Sequence, residues 1–534
     1  MKNLTLLVLI LILAAILRFY QLESIPAGLH GDGASQGYNA YSLLQTGKDR
    51  YGESFPTLFR AYGSYQPPIY TYLATIPVSI FGNSVFSARF ISALSGVILV
   101  PLTYMLIYLL FDAKIRSGLA IVASLLVAIA PWSIFFSRLT LEANLAVSIF
   151  ISSVLFFILS LRKRTFFPLA CLLLGLSTHA YYSERVIAVL FLPIFLVLFK
   201  SIFLKNKRWI FFGLLIFIIT QIPHFQIIQS GAFARRFDQV GIDSSPVSAG
   251  KIFLENFAVY YSPKNLFFDS DTNLGRTMPG LSVFYNILLI PFILGIRYML
   301  KNLKQQQIKI LGLLILITPI PAGVTGDTFY PLRTLDFLWT ITILIAVGVY
   351  QLYESLKNKN FKILLTVLII PYFLFSLYVS YFILFKYEKA ENYGYPYIKL
   401  MDKLSEYEDK NIMKDKNIVI DLSRDLGVGV RLAYLQSYDP TKMQEQLRPQ
   451  LKSSYYSSFV NADETYQINK ITVKPINWGD TCKDIILVGD TLAISEGEVK
   501  EHKLKLEFEI PNITGKIALR GYSTNPKEKC PQQY

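Results

Sequence analysis

The stretch that decides the fold runs from Ile91 to Phe111 and reads ISALSGVILVPLTYMLIYLLF, without one charged side chain. As a helix, about 20 apolar residues are long enough to cross the hydrocarbon layer of a bilayer. Similar apolar runs lie on both sides of it, at residues 3–19, 118–132, 143–160, 166–180, 186–203, 209–224, 281–297, 307–322, 335–355 and 361–385. The chain is therefore predicted to be an α-helical polytopic membrane protein with about eleven transmembrane helices.

The overall composition also places the chain in a membrane. Of its 534 residues, 53% are hydrophobic and only 17% are charged, a balance more apolar than that of ordinary soluble domains. Among 52 basic and 37 acidic residues, 21 and 22 lie from Tyr387 onward, so the helical part carries the whole basic excess. Such an excess is typical of cytoplasmic loops that set topology, and no basic stripe favours nucleic-acid binding.

The short loops between the apolar runs are alternately rich and poor in Lys and Arg. The rich loops, expected in the cytoplasm, hold Lys114 and Arg116, Arg162 to Arg164, Lys205 to Arg208, Arg297 to Lys309, and Lys357 to Lys362. This alternation predicts a cytoplasmic N-terminus at the cell membrane, with the first outer loop 20–88, the long outer loop 224–280 and the C-terminal tail outside. It also predicts that the apolar segment Pro67–Gly82 lies in the outer interface or re-enters as a partly buried helix.

The chain changes character after residue 386. Residues 1–386 form the predicted transmembrane domain, whereas residues 387–534 alternate polar turns with strand-like runs at Asn417–Asp421, Asp484–Val488 and Leu504–Ile510. This pattern predicts a small soluble α+β C-terminal domain on the extracytoplasmic side. Two of the three cysteines, Cys482 and Cys530, lie in this domain, and the sequence leaves open whether they pair.

The first outer loop holds the most informative acidic residue. The loop reads PAGLHGDGASQGYNAYSLLQTG from Pro26 to Gly47, and a helix-like run follows Asp32. A carboxylate at the start of a helix can cap free backbone N–H groups, and the local sequence alone favours that role. The alternative is a general base that takes a proton from a hydroxyl group.

Three segments favour the catalytic role, because their order and spacing resemble the N-terminal module of lipid-linked glycosyltransferases. They are Asp32 after the first helix, the Pro67-Pro68-Ile-Tyr-Thr-Tyr-Leu73 segment, and the stretch from Gly82 through Arg89 to Gly96. The family is family 39 of the GT-C type, which includes protein O-mannosyltransferases and the aminoarabinose transferases of lipid A. The resemblance is best over residues 1–190. It implies a GT-C-like fold and transfer of mannose or a related sugar from a polyprenyl-phosphate donor to a hydroxyl of a protein, lipid or glycan.

The resemblance also implies roles for particular residues. The first-loop acid is the catalytic base in that family, where it usually stands in an Asp-Glu pair; here Gly33 follows Asp32. A second acid after a Ser-Arg step corresponds to Glu142, although an acid at a helix start could equally be a dipole cap. The departing phosphate is a stable anion, so cationic donors are enough to hold it. Arginine side chains on the outer side could do so, with ion pairing or lipid anchoring as the alternative: Arg138, Arg333, Arg185 and Arg89.

Other outer residues are candidates for binding the sugar. His30 adjoins Asp32, while Tyr65, Tyr181 and Tyr182 could stack on a sugar ring or, as is commoner, form an interfacial aromatic belt. No histidine cluster predicts a metal site and the sequence indicates no definite cofactor, although Asp32 and Glu142 could hold a divalent cation. The alternative function is a transporter or flippase of a lipid-linked saccharide, but we find neither an inverted repeat nor a mid-membrane charge.

Overall fold

The chain folds into two compact units. A computed structural model describes residues 2–203, 207–269, 271, 274–409 and 416–533. One unit comprises Met1–Tyr20, Pro67–Tyr70 and Ile91–Ile383, and is called here the helical unit. The other comprises Gln21–Gln66, Thr71–Phe90 and Leu384–Tyr534, and is called the mixed unit. Lys205, in a predicted cytoplasmic loop, lies outside the described residues.

Helices account for most of the described residues. In chain order they are α1 (Lys2–Phe19), α2 (Gly31–Thr46), α3 (Pro68–Phe81), α4 (Val85–Leu110), α5 (Arg116–Ile129), α6 (Pro131–Ser137), α7 (Glu142–Arg162), α8 (Phe167–Ala180), α9 (Tyr182–Leu198), α10 (Lys200–Phe203), α11 (Lys207–Ile228), α12 (Arg235–Val240), α13 (Pro246–Val259), α14 (Pro263–Phe267), α15 (Leu289–Lys301), α16 (Gln306–Ile317), α17 (Ile320–Gly323), α18 (Leu335–Ser355), α19 (Lys359–Leu377), α20 (Lys386–Glu388), α21 (Tyr395–Asp409), α22 (Val428–Leu435), α23 (Pro440–Leu447), α24 (Glu496–Glu501) and α25 (Pro526–Lys529).

Each predicted apolar run contains a helix, so hydropathy located the helices correctly. By length and composition, six helical segments within the described residues could cross a membrane, and the bent pair α5 and α6 would make a seventh. Several others, such as α8, α9 and α15, have only 14, 17 and 13 residues and are shorter than an ordinary crossing. The number of about eleven crossings therefore stays a prediction.

The exposed faces of two long helices fit a lipid environment. Only 17% of the most apolar window of α11, and the same share in the segment that begins with α19, is buried inside the protein. Large apolar side chains such as Phe211 and Phe375 are 63% and 69% exposed on them. Water would make that exposure costly, whereas lipid chains would not.

Close approach of two helices forms part of the core of the helical unit. Helix α18 packs against α15 through one glycine on each helix, which approaches the backbone of the other helix. A Cβ atom at Gly295 would lie 2.0 Å from the Leu344 carbonyl oxygen, and one at Gly348 would lie 1.8 Å from that of Pro291. Only glycine permits this backbone contact, which is a common way to pack helices in membranes.

The mixed unit contains the predicted α+β domain. Its strands are β1 (Phe59–Ala61), β2 (Ser64–Gln66), β3 (Asn417–Ile420), β4 (Tyr466–Ile468), β5 (Ile471–Val473), β6 (Ile485–Gly489), β7 (Lys505–Pro511) and β8 (Ile517–Ser523). The first two form an antiparallel hairpin, and the others form one sheet in the order β4-β5-β3-β6-β8-β7. Strand β3 is parallel to both β5 and β6. The three strand-like runs of the sequence correspond to β3, β6 and β7.

The first outer loop belongs to the mixed unit, whereas the sequence analysis placed it in a transmembrane domain of residues 1–386. The reason is polar contact with the C-terminal part. Arg60 donates to the Ser454 carbonyl at 3.1 Å and to Asn461 Oδ1 at 3.1 Å, and Tyr65 donates to the Tyr455 carbonyl at 2.7 Å. The predicted domain boundary at residue 386 lies close to the observed change of unit after Ile383.

The segment Pro67–Gly82 forms helix α3, which at 14 residues is too short for an ordinary crossing. Its C-terminal half carries exposed apolar side chains, and Phe81 packs against Phe86 and Phe90 with ring centroids 5.2 and 5.6 Å apart. Its position in the membrane interface stays a prediction.

Candidate active site

Asp32 lies in the first turn of α2, as the sequence predicts. The N-cap residue is His30, whose Nδ1 accepts a hydrogen bond from the Asp32 backbone N–H at 3.3 Å. Asp32 Oδ2 lies 3.6 Å from the same nitrogen, and its side chain is 49% exposed. Because His30 caps the helix, the carboxylate of Asp32 is accessible while the helix dipole stabilises its negative charge.

One oxygen of this carboxylate is held by a residue that the sequence analysis missed. Gln66 Nε2 donates to Asp32 Oδ1 at 3.3 Å and lies 3.4 Å from the Asp32 carbonyl oxygen. Tyr62 fixes the preceding residue by donating to the Gly31 carbonyl at 2.9 Å. Gln66 ends strand β2, and no motif marks it, so only the fold reveals its contact with Asp32.

Arg89 holds the loop that leads to Asp32. Its guanidinium donates to the carbonyl oxygens of Leu22 and Pro26 at 2.9 and 3.0 Å, and to that of Gly28 at 2.5 Å. The side chain is buried. The sequence suggests a phosphate ligand here, but the structure gives this arginine carbonyl partners and a role in shaping the loop.

Arg138 is likewise occupied by backbone groups, in the helical unit. It donates to the carbonyl oxygens of Leu17, Arg18 and Tyr20 at 3.0, 2.9 and 2.8 Å. The side chain has no exposed surface. A cation at these carbonyls caps the C-terminal end of α1, which accounts for its position without a substrate.

Two arginines of the helical unit, Arg276 and Arg333, lie against the ring of Tyr330 and form a cluster with it. The guanidinium carbon of Arg333 lies 4.8 Å from the Tyr330 ring centroid, and that of Arg276 lies 4.2 Å from it. Arg333 is buried, pairs with Asp327 at 2.7 Å and donates to Thr325 Oγ1 at 2.5 Å. Arg276 is 40% exposed, and its nearest carboxylate contact is Asp271 at 3.9 Å. Arg276, in the long outer loop, was not among the residues predicted from the sequence.

A small hollow lies beside this cluster. It encloses about 300 Å³, open solvent included, and Arg276 and Asp271 are its charged lining residues. Its other walls are aromatic, aliphatic and small polar side chains: Trp132, Phe135, Phe136, Thr277, Met278, Leu281, Ser282, Val283 and Pro331. A mixed lining of this kind, apolar with a few charged groups, is common in ligand sites.

The structure brings two predicted residues close to Arg333. Tyr181 lies at the junction of α8 and α9, where the charges of Arg333 and of Glu142 both act on its hydroxyl group. Glu142 is the first residue of α7. Tyr181, Glu142 and Arg333 thus lie in the same region of the helical unit.

The remaining predicted residues have other surroundings. Arg185 stacks between Tyr182 and Phe233, with its guanidinium carbon 4.5 and 4.4 Å from the ring centroids. Tyr65 is buried, and its hydroxyl bonds to the backbone of Tyr455 and Ser457. Among the residues that the structure describes, no three His, Cys, Asp or Glu side chains gather as a metal site.

Comparisons with known proteins bear on the fold and on part of the sequence. The family model described as dolichyl-phosphate-mannose-protein mannosyltransferase matches residues 65–226. The apo structure of ArnT from Cupriavidus metallidurans superposes with a TM-score of 0.60 and 11% identity, covering 99% of both chains. ArnT from the same organism bound to undecaprenyl phosphate gives a TM-score of 0.56 and 12% identity over 96% of this chain and 97% of that one. No curated protein matches the sequence with significance.

The fold is that of ArnT, and the long apolar helices are those of an integral membrane protein, as the sequence predicts. The family match extends across the end of β2, the α3 segment and the helices up to α11. Residues 65–226 are similar to that mannosyltransferase family, and the chain as a whole shares the fold of ArnT.

Proposed function

We propose that this enzyme moves mannose or a related sugar from a polyprenyl-phosphate donor to an acceptor hydroxyl, with Asp32 as general base. The observation that carries this proposal is the half-exposed carboxylate of Asp32, held on one oxygen by Gln66. A carboxylate fixed in this way has an oxygen available for an incoming hydroxyl group. The ArnT structure with bound undecaprenyl phosphate supports the donor class.

The proposed reaction is one displacement at the anomeric carbon. The acceptor oxygen gives its proton to Asp32 and bonds to the anomeric carbon, while the bond from that carbon to the phosphate oxygen breaks. The polyprenyl phosphate leaves with the electron pair as a stable anion, so no proton has to be supplied to it. The carboxylate is the one essential proton acceptor.

Arg333 and Arg276 are the side chains that we assign to the donor phosphate. Two guanidinium groups lie against one tyrosine ring, and Arg276 is partly exposed with a long contact of 3.9 Å to Asp271. Guanidinium groups match phosphate oxygens well in geometry. Arg89 and Arg138 instead bind backbone carbonyls.

We further infer that the reaction takes place on the non-cytoplasmic side of the cell membrane. The first outer loop and the C-terminal domain fold into one unit, so they lie on the same side. That unit contains a disulfide between Cys482 and Cys530. Disulfides persist mainly in oxidising compartments outside the cytoplasm. The acceptor is a protein, a lipid or a glycan.

The test is transfer of radiolabelled mannose from polyprenyl-phosphate mannose by purified enzyme in lipid nanodiscs. Asp32→Asn keeps the shape and removes the base, and turnover should fall by at least about a hundredfold. Glu53→Gln, a half-buried acid of the same loop, is the matched control and should keep its activity. Undiminished turnover in Asp32→Asn would reject the assignment of the base.

A further inference from the structure

A chain of hydrogen bonds in the mixed unit leads from Asp32 to a buried arginine. Arg50 NH1 donates to Ser35 Oγ at 2.7 Å. Ser35 Oγ donates to Gln66 Oε1 at 3.0 Å, and Gln66 Nε2 donates to Asp32 Oδ1 at 3.3 Å. Arg50 and Ser35 have no exposed surface, and Gln66 has only 5%. Three successive bonds therefore connect the fully buried guanidinium of Arg50 with the carboxylate of Asp32.

The direction of every bond in this chain is set by Arg50. A guanidinium has only donors, so the Ser35 oxygen must accept from it, and the single hydroxyl proton of Ser35 must point elsewhere. That proton goes to Gln66 Oε1. The amide of Gln66 is then oriented with its NH2 group toward Asp32. An arginine at one end thus ensures that a donor, rather than a carbonyl oxygen, faces the carboxylate at the other end.

The charge of Arg50 is balanced by the C-terminal domain. Its NH2 group donates to the Tyr51 hydroxyl at 3.0 Å, and that hydroxyl donates to Glu464 Oε1 at 2.5 Å. Tyr466 donates to the other oxygen of Glu464 at 2.6 Å. A fully buried cation is stable only with such a counter-charge, which here acts through one tyrosine.

We propose that Arg50 is a positioning residue for sugar transfer, acting through Ser35 and Gln66 to orient the carboxylate of Asp32, with Glu464 as its counter-ion. This inference rests on the proposed function of Asp32. A hydrogen bond donated to a carboxylate favours its charged form, which is the form that accepts a proton. The chain also fixes the rotamer of the carboxylate, so the free oxygen keeps its direction.

The decisive variant is Gln66→Glu, which keeps the shape and can still accept from Ser35. It replaces the N–H group that faces Asp32 with an oxygen, so two carboxyl groups would meet. We expect kcat to fall by about tenfold or more, and the acid limb of kcat/KM to move to higher pH by about one unit, with KM for the donor little changed. Ser35→Ala and Arg50→Lys should shift the same limb in the same direction.

Arg60→Lys is the matched control. Arg60 is another buried arginine of the mixed unit, but its guanidinium bonds to residues 453–461 and not to the chain described above. Its replacement should lower the melting temperature and leave the pH profile unmoved. A wild-type profile in folded Gln66→Glu and Ser35→Ala, while Asp32→Asn is inactive, would overturn the role of Arg50 alone. Full activity of Asp32→Asn would instead overturn the proposed function itself.

Discussion

Arg431 of the C-terminal domain donates from Nε to the Leu29 carbonyl oxygen at 2.6 Å, three residues before Asp32. The same guanidinium forms an ion pair with Asp425 at 2.9 Å. Beside it, a Cβ atom on Gly427 would lie 2.6 Å from the Gly31 Cα atom, so the two backbones are in direct contact. The C-terminal domain therefore helps to build the loop that carries Asp32.

Loss of Arg431 should damage both stability and activity. Arg431→Met leaves Asp425 without its partner, and a broken buried pair costs about 3–5 kcal/mol. Because Asp425 keeps 29% of its side chain exposed, we expect about 2–3 kcal/mol together with lower turnover. Arg424→Met, which removes a half-exposed arginine 3.4 Å from Asp490, should cost less than about 1 kcal/mol. Equal melting temperatures of the two variants in detergent would contradict this difference.

The stability of the mixed unit should depend on pH through Asp49. Burial raises the pKa of Asp49 to about 6 from its usual 3.8, although bonds from the Tyr455 hydroxyl and from the Glu53 and Tyr51 amides lower it. The folded protein then binds this proton more tightly than the unfolded chain does. Stability should therefore fall as pH rises from about 3.8 to about 6, by up to about 3 kcal/mol.

Asp49→Asn isolates this effect. The asparagine oxygen can still accept from the backbone amides, and its NH2 group can donate to the Tyr455 hydroxyl, which also bonds to the Leu58 carbonyl. Between pH 4 and 6.5 the melting temperature of the wild type relative to Asp49→Asn should decline steadily. A constant difference over that range would show that Asp49 does not titrate there.

The sequence predicts the helices better than it predicts the surroundings of the site. Apolar runs such as Ile91–Phe111 locate membrane helices because lipid selects for local composition, and the position of Asp32 at a helix start follows from the adjacent residues. For Arg89 and Arg138, charge alone did not predict what the side chains bind. Sequence reveals two outer arginines, but their carbonyl partners depend on where distant loops pass.

The residues that hold Asp32 could not be found from the sequence. Gln66 is 34 positions from Asp32, and Glu464 is 413 positions from Tyr51. The first contact forms when the first outer loop folds on itself, and the second forms when that loop packs against the C-terminal domain. Single polar residues at such separations leave no periodic or motif signal, since burial and partner are decided by tertiary structure.

Substitutions of Arg276 and Arg138 should distinguish a residue that binds the donor from one that only stabilises the fold. Arg276→Gln removes a partly exposed guanidinium next to the hollow, and we expect KM for the polyprenyl-phosphate donor to rise by about tenfold. Arg138→Lys keeps the charge but cannot reach all three carbonyls at the end of α1. It should lower the melting temperature and leave that KM unchanged in the folded fraction. The opposite result, a raised KM only in Arg138→Lys, would indicate that Arg138 binds the donor phosphate.

The disulfide allows the side of the membrane to be tested directly. Cys482 and Cys530 are half-buried and close a loop of 48 residues, worth about 4 kcal/mol by chain entropy. In intact cells, Cys482→Ser should leave Cys530 as a free thiol that a membrane-impermeant maleimide labels, while wild-type protein stays unlabelled. Cys171 is buried in α8 and should not react in either protein. Because the mixed unit contains both Cys530 and Asp32, labelling only after cell lysis would place Asp32 in the cytoplasm and contradict the proposed topology.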